Sequence, residues 1–155
     1  VFTTDSPRLP ALQDESRDRK RPVTSPKGAG VLVAAKESDL RIGSGKSVRF
    51  EGERYGSGIS FFHVHNEPGQ GPDPHVHPYS ETWVVLSGSA LVRTDDGEAN
   101  ICAGDILVVG AGTTHAFRAT GSEPLRMMCI HASSRIEQTF FDTADERFAG
   151  TPLRD

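Results

Sequence analysis

The chain is poor in several residue types, and each shortage excludes something. It has two cysteines, Cys102 and Cys129, in 155 residues. They lack CxxC spacing, so neither a disulfide scaffold nor a zinc knuckle is in view. Each lies in an apolar setting, ANICAG and RMMCIH, which predicts buried free thiols. No apolar run approaches the roughly 20 residues of a membrane-spanning helix. A formal charge of -4 leaves no basic stripe for nucleic acid or anionic lipid. The N-terminus has no charged-then-apolar signal pattern, so a cytoplasmic protein is expected. The chain opens on Val1 rather than Met, so an upstream piece is expected to be missing.

Organisation changes near residue 30. Residues 1–29 hold Pro7, Pro10, Pro22 and Pro26 around the charged stretch DESRDRKR. They have no apolar period and read as an arm without a domain of its own. From Gly30, short apolar stretches recur: VLVAA, SVRFEG, GISFFHVH, TWVVL, ALVRT, NIC, DILVVG, HAFRAT and LRMMCIHA. Turn signals such as SGS, DDGE, GAGTT and TGSEP separate them. Short strands at this spacing predict an all-β barrel or sandwich over 30–132. Residues 133–155 read as a short helix or strand and a tail, with Ile136, Phe140 and Phe141 as packing residues. The string GSGKS at 43–47 imitates a phosphate-binding loop, but the glycine that motif needs is Leu40 here, and no strand-to-helix context surrounds it.

One stretch concentrates the chemistry: GQGPDPHVHPYSETWVVLSG, from Gly69 to Gly88. Residues i and i+2 of a strand share a face, so His75 and His77 present two imidazoles to one side. Pro74 and Pro78 suit a strand start and a bend. Glu81 opens the next stretch and shares a face with Trp83 and Val85. Two imidazoles and a carboxylate are a metal-ligand set that leaves coordination positions open. His115, after the turn GAGTT, is the candidate for a third imidazole.

These residues resemble the cupin superfamily, in particular its small single-domain, metal-binding members. The first cupin motif is Gly, five residues, His-x-His, three or four residues, Glu, six residues, Gly. Gly69, His75, His77, Glu81 and Gly88 meet every fixed position. In the second motif Gly104, Gly112 and His115 match, while Gly110 replaces a proline and Ala119 an asparagine. The resemblance implies a single-domain jelly-roll β-barrel with an extended N-terminal arm. It also implies a metal held by His75, His77, Glu81 and His115. The occupant would be one divalent transition metal, Fe first, with Mn, Ni, Zn or Cu as alternatives. The four ligands would carry catalysis through the metal.

Around them, Tyr79 and His63 are further catalytic candidates; His63 and His65, two apart on the strand before the motif, are candidates for a pocket role, and His131 raises the same question more weakly. Phe61, Trp83, Val85 and Phe117 are assigned to the pocket wall; Phe61 and Phe62 point to opposite faces. Arg93 and Arg126 are candidates for holding a substrate carboxylate. The function implied is a metal-dependent enzyme acting on a small oxygenated organic molecule, of dioxygenase type with Fe(II). The alternatives are a non-redox isomerase, lyase or decarboxylase, or a non-catalytic ligand-binding barrel. The expected partners are a small molecule and a second copy of the chain, paired through the arm.

Overall fold

The computed structural model describes residues 32–141. The arm at 1–29 and the tail beyond residue 141 lie outside them. Ten strands form two antiparallel sheets. They are β1 (Val48–Glu51), β2 (Ser60–Asn66), β3 (His75–Val76), β4 (Glu81–Ser87) and β5 (Ser89–Thr94). The others are β6 (Gly97–Cys102), β7 (Ile106–Val109), β8 (His115–Thr120), β9 (Leu125–His131) and β10 (Thr139–Phe140). One sheet runs β1-β2-β9-β4-β7 and the other β10-β3-β8-β5-β6. Apart from the β1–β2 and β5–β6 pairs, successive strands cross between the sheets, which is the jelly-roll arrangement. Among the described residues there is no α-helix, only 3-10 turns at Glu37–Leu40 and Gly52–Tyr55. No described helix is long and apolar enough to cross a membrane.

Alternation decides which face of each strand is buried. In β4, Glu81, Trp83 and Val85 point inward while Thr82, Val84 and Leu86 do not. In β9 the inward set is Leu125, Met127, Cys129 and His131. Trp83, Leu125 and Met127 are almost wholly buried and meet Phe117, Val92 and Ile101 from the facing sheet. Cys129 is buried as expected. Cys102 is exposed instead, because it follows the inward Ile101 at the end of β6 and so points out.

Space dictates glycine at three described positions, Gly52, Gly71 and Gly88. Gly88, in the tight link between β4 and β5, has φ 75°, and a Cβ there would sit 2.6 Å from the Pro124 carbonyl oxygen. At Gly71 a Cβ would fall 1.9 Å from the Phe117 carbonyl oxygen. That closeness lets the loop before β3 lie flat against β8.

The expected first strand at 31–35 does not form where it is described. Residues 32–36 have no regular structure, and Leu32 and Val33 are exposed. The GSGKS string is a turn, with Gly43 at φ 57°, followed by strand β1 and not by a helix. The segment after β9 contributes β10, which pairs with β3 through Thr139–Val76 and Phe140–His75.

Candidate metal centre

The two sheets bring four ligand side chains from separate places to one point. His75 lies on β3 directly opposite His115 at the start of β8. Glu81 starts β4 and pairs with both Val109 and His131. His77 follows β3, and its carbonyl accepts a hydrogen bond from the Gly112 N–H, which ties the first motif to the second. One ligand atom from each of His75, His77, Glu81 and His115 lies within 4.8 Å of all the others. All four side chains are buried. Glu81 Oε2 is 3.1 Å from His115 Nε2 and 3.3 Å from His77 Nε2.

The protein fixes which nitrogen of each ring faces this point. His75 Nδ1 is 2.7 Å from the Asp73 carbonyl, His115 Nδ1 is 2.9 Å from Thr113, and His77 Nδ1 is 2.8 Å from Glu137. A carbonyl only accepts, so each Nδ1 carries the proton and each Nε2 is left with its lone pair. His77 Nε2, His115 Nε2 and Glu81 Oε2 are buried without a hydrogen-bond partner. Converging lone pairs and a carboxylate oxygen repel one another unless a cation lies between them. The donor set therefore fits a divalent metal, with each imidazole held through its other nitrogen as such ligands usually are.

The acid–base properties agree with this arrangement. Burial, reinforced by the neighbouring His115, pushes His75 down to about 4, so its ring is neutral at ordinary pH. Burial also disfavours charge on His77, but the Glu81 carboxylate 3.3 Å away and the Glu137 carbonyl outweigh it and hold its pKa above the ordinary value. Burial would raise Glu81, yet His115, His131 and His77 outweigh it and keep the carboxyl ionised. The Cys129 thiol is pushed well up by burial and by Glu81, so it stays protonated.

Two residues behind the ligands complete the centre. His131 is fully buried, with Nε2 3.3 Å from Glu81 Oε1, the oxygen not turned toward His77 and His115. Its Nδ1 is 3.2 Å from the Tyr79 hydroxyl oxygen. That oxygen accepts from the Glu137 N–H at 2.7 Å, and the Tyr79 ring stacks on His77. Tyr79 is not among the residues lining the cavity. It buttresses His77 from behind, and burial raises its pKa. The sequence held a signal for His131 that was underused: it continues the inward set Leu125, Met127, Cys129. Glu137 carried no local signal.

The centre borders a cavity of about 730 Å³, reached by His75, Glu81 and His131. Phe62, Trp83, Phe117 and Phe140 wall it, and Arg49, Arg118 and Gln138 add polar groups. Several assignments change here. Phe62, not Phe61, lines the cavity; Phe61 shares the outer face with Phe50, on which it stacks at 4.8 Å. Val85 packs in the core instead of the cavity wall, and Trp83 and Phe117 stand where they were expected. His63 is not brought to the centre, because it lies on the face of β2 opposite Phe62 and Val64. His65 borders the cavity as β2 ends. Arg93 pairs with Glu98, and neither Arg93 nor Arg126 lines the cavity; Arg49 and Arg118 do.

Residues 62–131 match the family model described as a cupin domain. These residues form a cupin domain. No curated protein is similar enough in sequence to count as a relative. Among solved structures, this cupin is similar to an uncharacterised protein with a double-stranded β-helix domain from Klebsiella pneumoniae. That likeness has 24% identity and a TM-score of 0.57, over 72% of this chain and 99% of that one. It is similar to Bacillus subtilis oxalate decarboxylase, a protein with Mn(II) centres, at 24% identity and TM-score 0.57. There the match covers 65% of this chain but 29% of the decarboxylase. A recombinant oxalate oxidase in complex with glycolate matches at 21% identity and TM-score 0.60, over 72% of this chain and 65% of the oxidase. At these identities the likeness establishes the shared fold.

Proposed function

We propose that this cupin is a metal-dependent enzyme acting on a small oxygenated organic molecule, with dioxygenase-type chemistry on Fe(II) as the leading form. The observation that carries the reading is the inward-facing donor set, one atom from each of four side chains within 4.8 Å, beside a cavity of about 730 Å³. That volume suits a small organic ligand. A bound divalent ion would supply Lewis acidity and, if iron, redox chemistry with O₂. The chain supplies the rest. His75, His77, Glu81 and His115 would hold the ion, and their clasped rings keep the donors aimed inward. Phe62, Trp83, Phe117 and Phe140 exclude water from the reacting region. Arg49 offers a guanidinium for a carboxylate or enolate; it lies 5.9 Å from the Phe62 ring centroid and pairs with Glu51 at 3.0 Å.

A second reading is oxidation-neutral chemistry of isomerase, lyase or decarboxylase type. The similarity to a decarboxylase with Mn(II) centres favours it. A third keeps the barrel as a non-catalytic binder of the same small molecule. Metal analysis of protein purified anaerobically, followed by turnover assays with keto acids, enols and carboxylates with and without O₂, separates them. Iron with oxygen uptake supports the first reading. Manganese, zinc or nickel with anaerobic turnover supports the second. Ligand binding without turnover leaves the third, and failure to take up any metal after reconstitution overturns the enzyme reading.

The same proposal takes the protein to be a cytoplasmic homodimer that uses its N-terminal arm. Exposed Leu86, Ile106 and Val108 on the outer side of β4 and β7 are compatible with pairing. Light scattering before and after removal of residues 1–29 tests the arm; an unchanged dimer removes its role.

A further inference from the structure

Strand β2 carries a second His-x-His pair. His63 and His65 stand on the face opposite Phe62 and Val64, with ring centroids 4.5 Å apart. Alternation makes this a chelating geometry, since both rings leave the strand on one side. A carboxylate arrives from elsewhere in the chain. Glu37 opens the 3-10 turn Glu37–Leu40, and one ligand atom from each of Glu37, His63 and His65 lies within 4.8 Å of the other two. His63 Nε2 is buried and has no hydrogen-bond partner. A buried imidazole nitrogen without a partner is uncommon and calls for a cause.

We propose that Glu37, His63 and His65 form a second divalent-metal site on the outer side of the barrel, distinct from the buried centre. Two imidazole nitrogens select a borderline transition ion such as Zn²⁺, Ni²⁺ or Cu²⁺ over Mg²⁺ or Ca²⁺, which prefer all-oxygen ligands. Arg126 and Lys46 lie near His65, as does Glu37. The same Arg126 and Lys46 repel a cation, and Glu37 is exposed. The site is therefore weaker than the buried one. Its consequence is mechanical: the ion would fasten to β2 a Glu37–Leu40 turn that otherwise packs against β1.

Equilibrium dialysis of the full chain against Zn²⁺, read by metal analysis, tests this. The His63→Ala, His65→Ala double variant is expected to hold one equivalent fewer than the parent. Glu37→Gln, at an exposed position that leaves the barrel intact, is expected to weaken that same equivalent by at least about tenfold. The equivalent removed by Glu81→Ala is a different one. If the parent holds a single equivalent that the β2 variants remove and Glu81→Ala does not, the outer site stands and the buried centre's metal assignment falls. Zinc stoichiometry and affinity identical in the parent, the double variant and Glu37→Gln overturn the proposal.

Discussion

The barrel contains two His-x-His pairs on strands, and only one of them is clasped. At His75 and His77 each Nδ1 meets a backbone carbonyl, and His115 repeats the arrangement. His63 and His65 share the spacing, yet no ring nitrogen of theirs has such a clasp among the hydrogen bonds described. Spacing alone thus places two rings on one side of a strand. Preorganisation comes from what lies behind the rings, and burial then converts it into a demand for a cation. The inner pair is expected to bind metal tightly and the outer pair weakly.

The strongest way to break this comparison is to remove the shared carboxylate. Glu81→Ala should abolish the tight metal equivalent, because it takes away a ligand and leaves three buried imidazoles without a counter-charge. Metal analysis showing full occupancy would mean that the inner cluster is not the site. Next in size is the core that carries the inner strand face. Met127 is fully buried, so Met127→Ala should cost about 2–5 kcal/mol in denaturant unfolding. His63→Ala, on the outer face, should stay within about 1 kcal/mol. Equal losses would show that the outer face is packed as tightly as the interior.

A finer probe addresses the support behind the ligands. His131→Phe keeps a ring at the site but removes the contact to Glu81 Oε1, and Tyr79→Phe removes the hydroxyl. Each should reduce inner-site metal affinity by about 10–100-fold while leaving the outer equivalent unchanged. Competition with a chelator reads both. Unchanged affinity would reduce Tyr79 and His131 to packing groups.

The last effect is a slope. His75 is pushed down to about 4 from an ordinary value of 6.5, so the unfolded chain takes up a proton that the folded ring refuses. Its contribution to stability is whole above pH 6.5 and is lost as pH falls toward 4. The shift corresponds to about 3 kcal/mol as an order of magnitude. Glu81, held low, adds loss in the acid range, whereas His77, held high, works in the opposite sense. Unfolding of metal-free protein from pH 7 to pH 4 should therefore be less steep in His75→Gln than in the parent. Parallel curves would mean that His75 is hydrated or charged when no metal is bound.

These residues also show what a sequence can reveal. The four residues of the inner cluster were legible because motif spacing and strand parity are local properties. The strands from β1 to β9 were legible from alternation and turn residues. Phe61 was misplaced because two adjacent phenylalanines give parity no anchor; the buried Val64 settles it in favour of Phe62. Cys102 looked buried from its apolar neighbours, but its neighbour Ile101 takes the inward position. Glu137 and the cavity face of Phe140 were invisible, and β10 was legible only as one of two alternatives, since contacts to residues about sixty positions away leave no periodic trace.

The Glu137 carbonyl that holds His77 has a consequence in time. All four inner ligands leave the ribosome before it does, with His115 preceding Glu137 by 22 residues. During synthesis there is an interval in which four metal-seeking side chains exist but one imidazole still rotates freely. Any ion captured in that interval meets a looser and less selective cluster than the finished one. A metal taken up at that stage would be chosen by the ions surrounding the nascent chain, before docking of the segment around Glu137 sharpens the cluster.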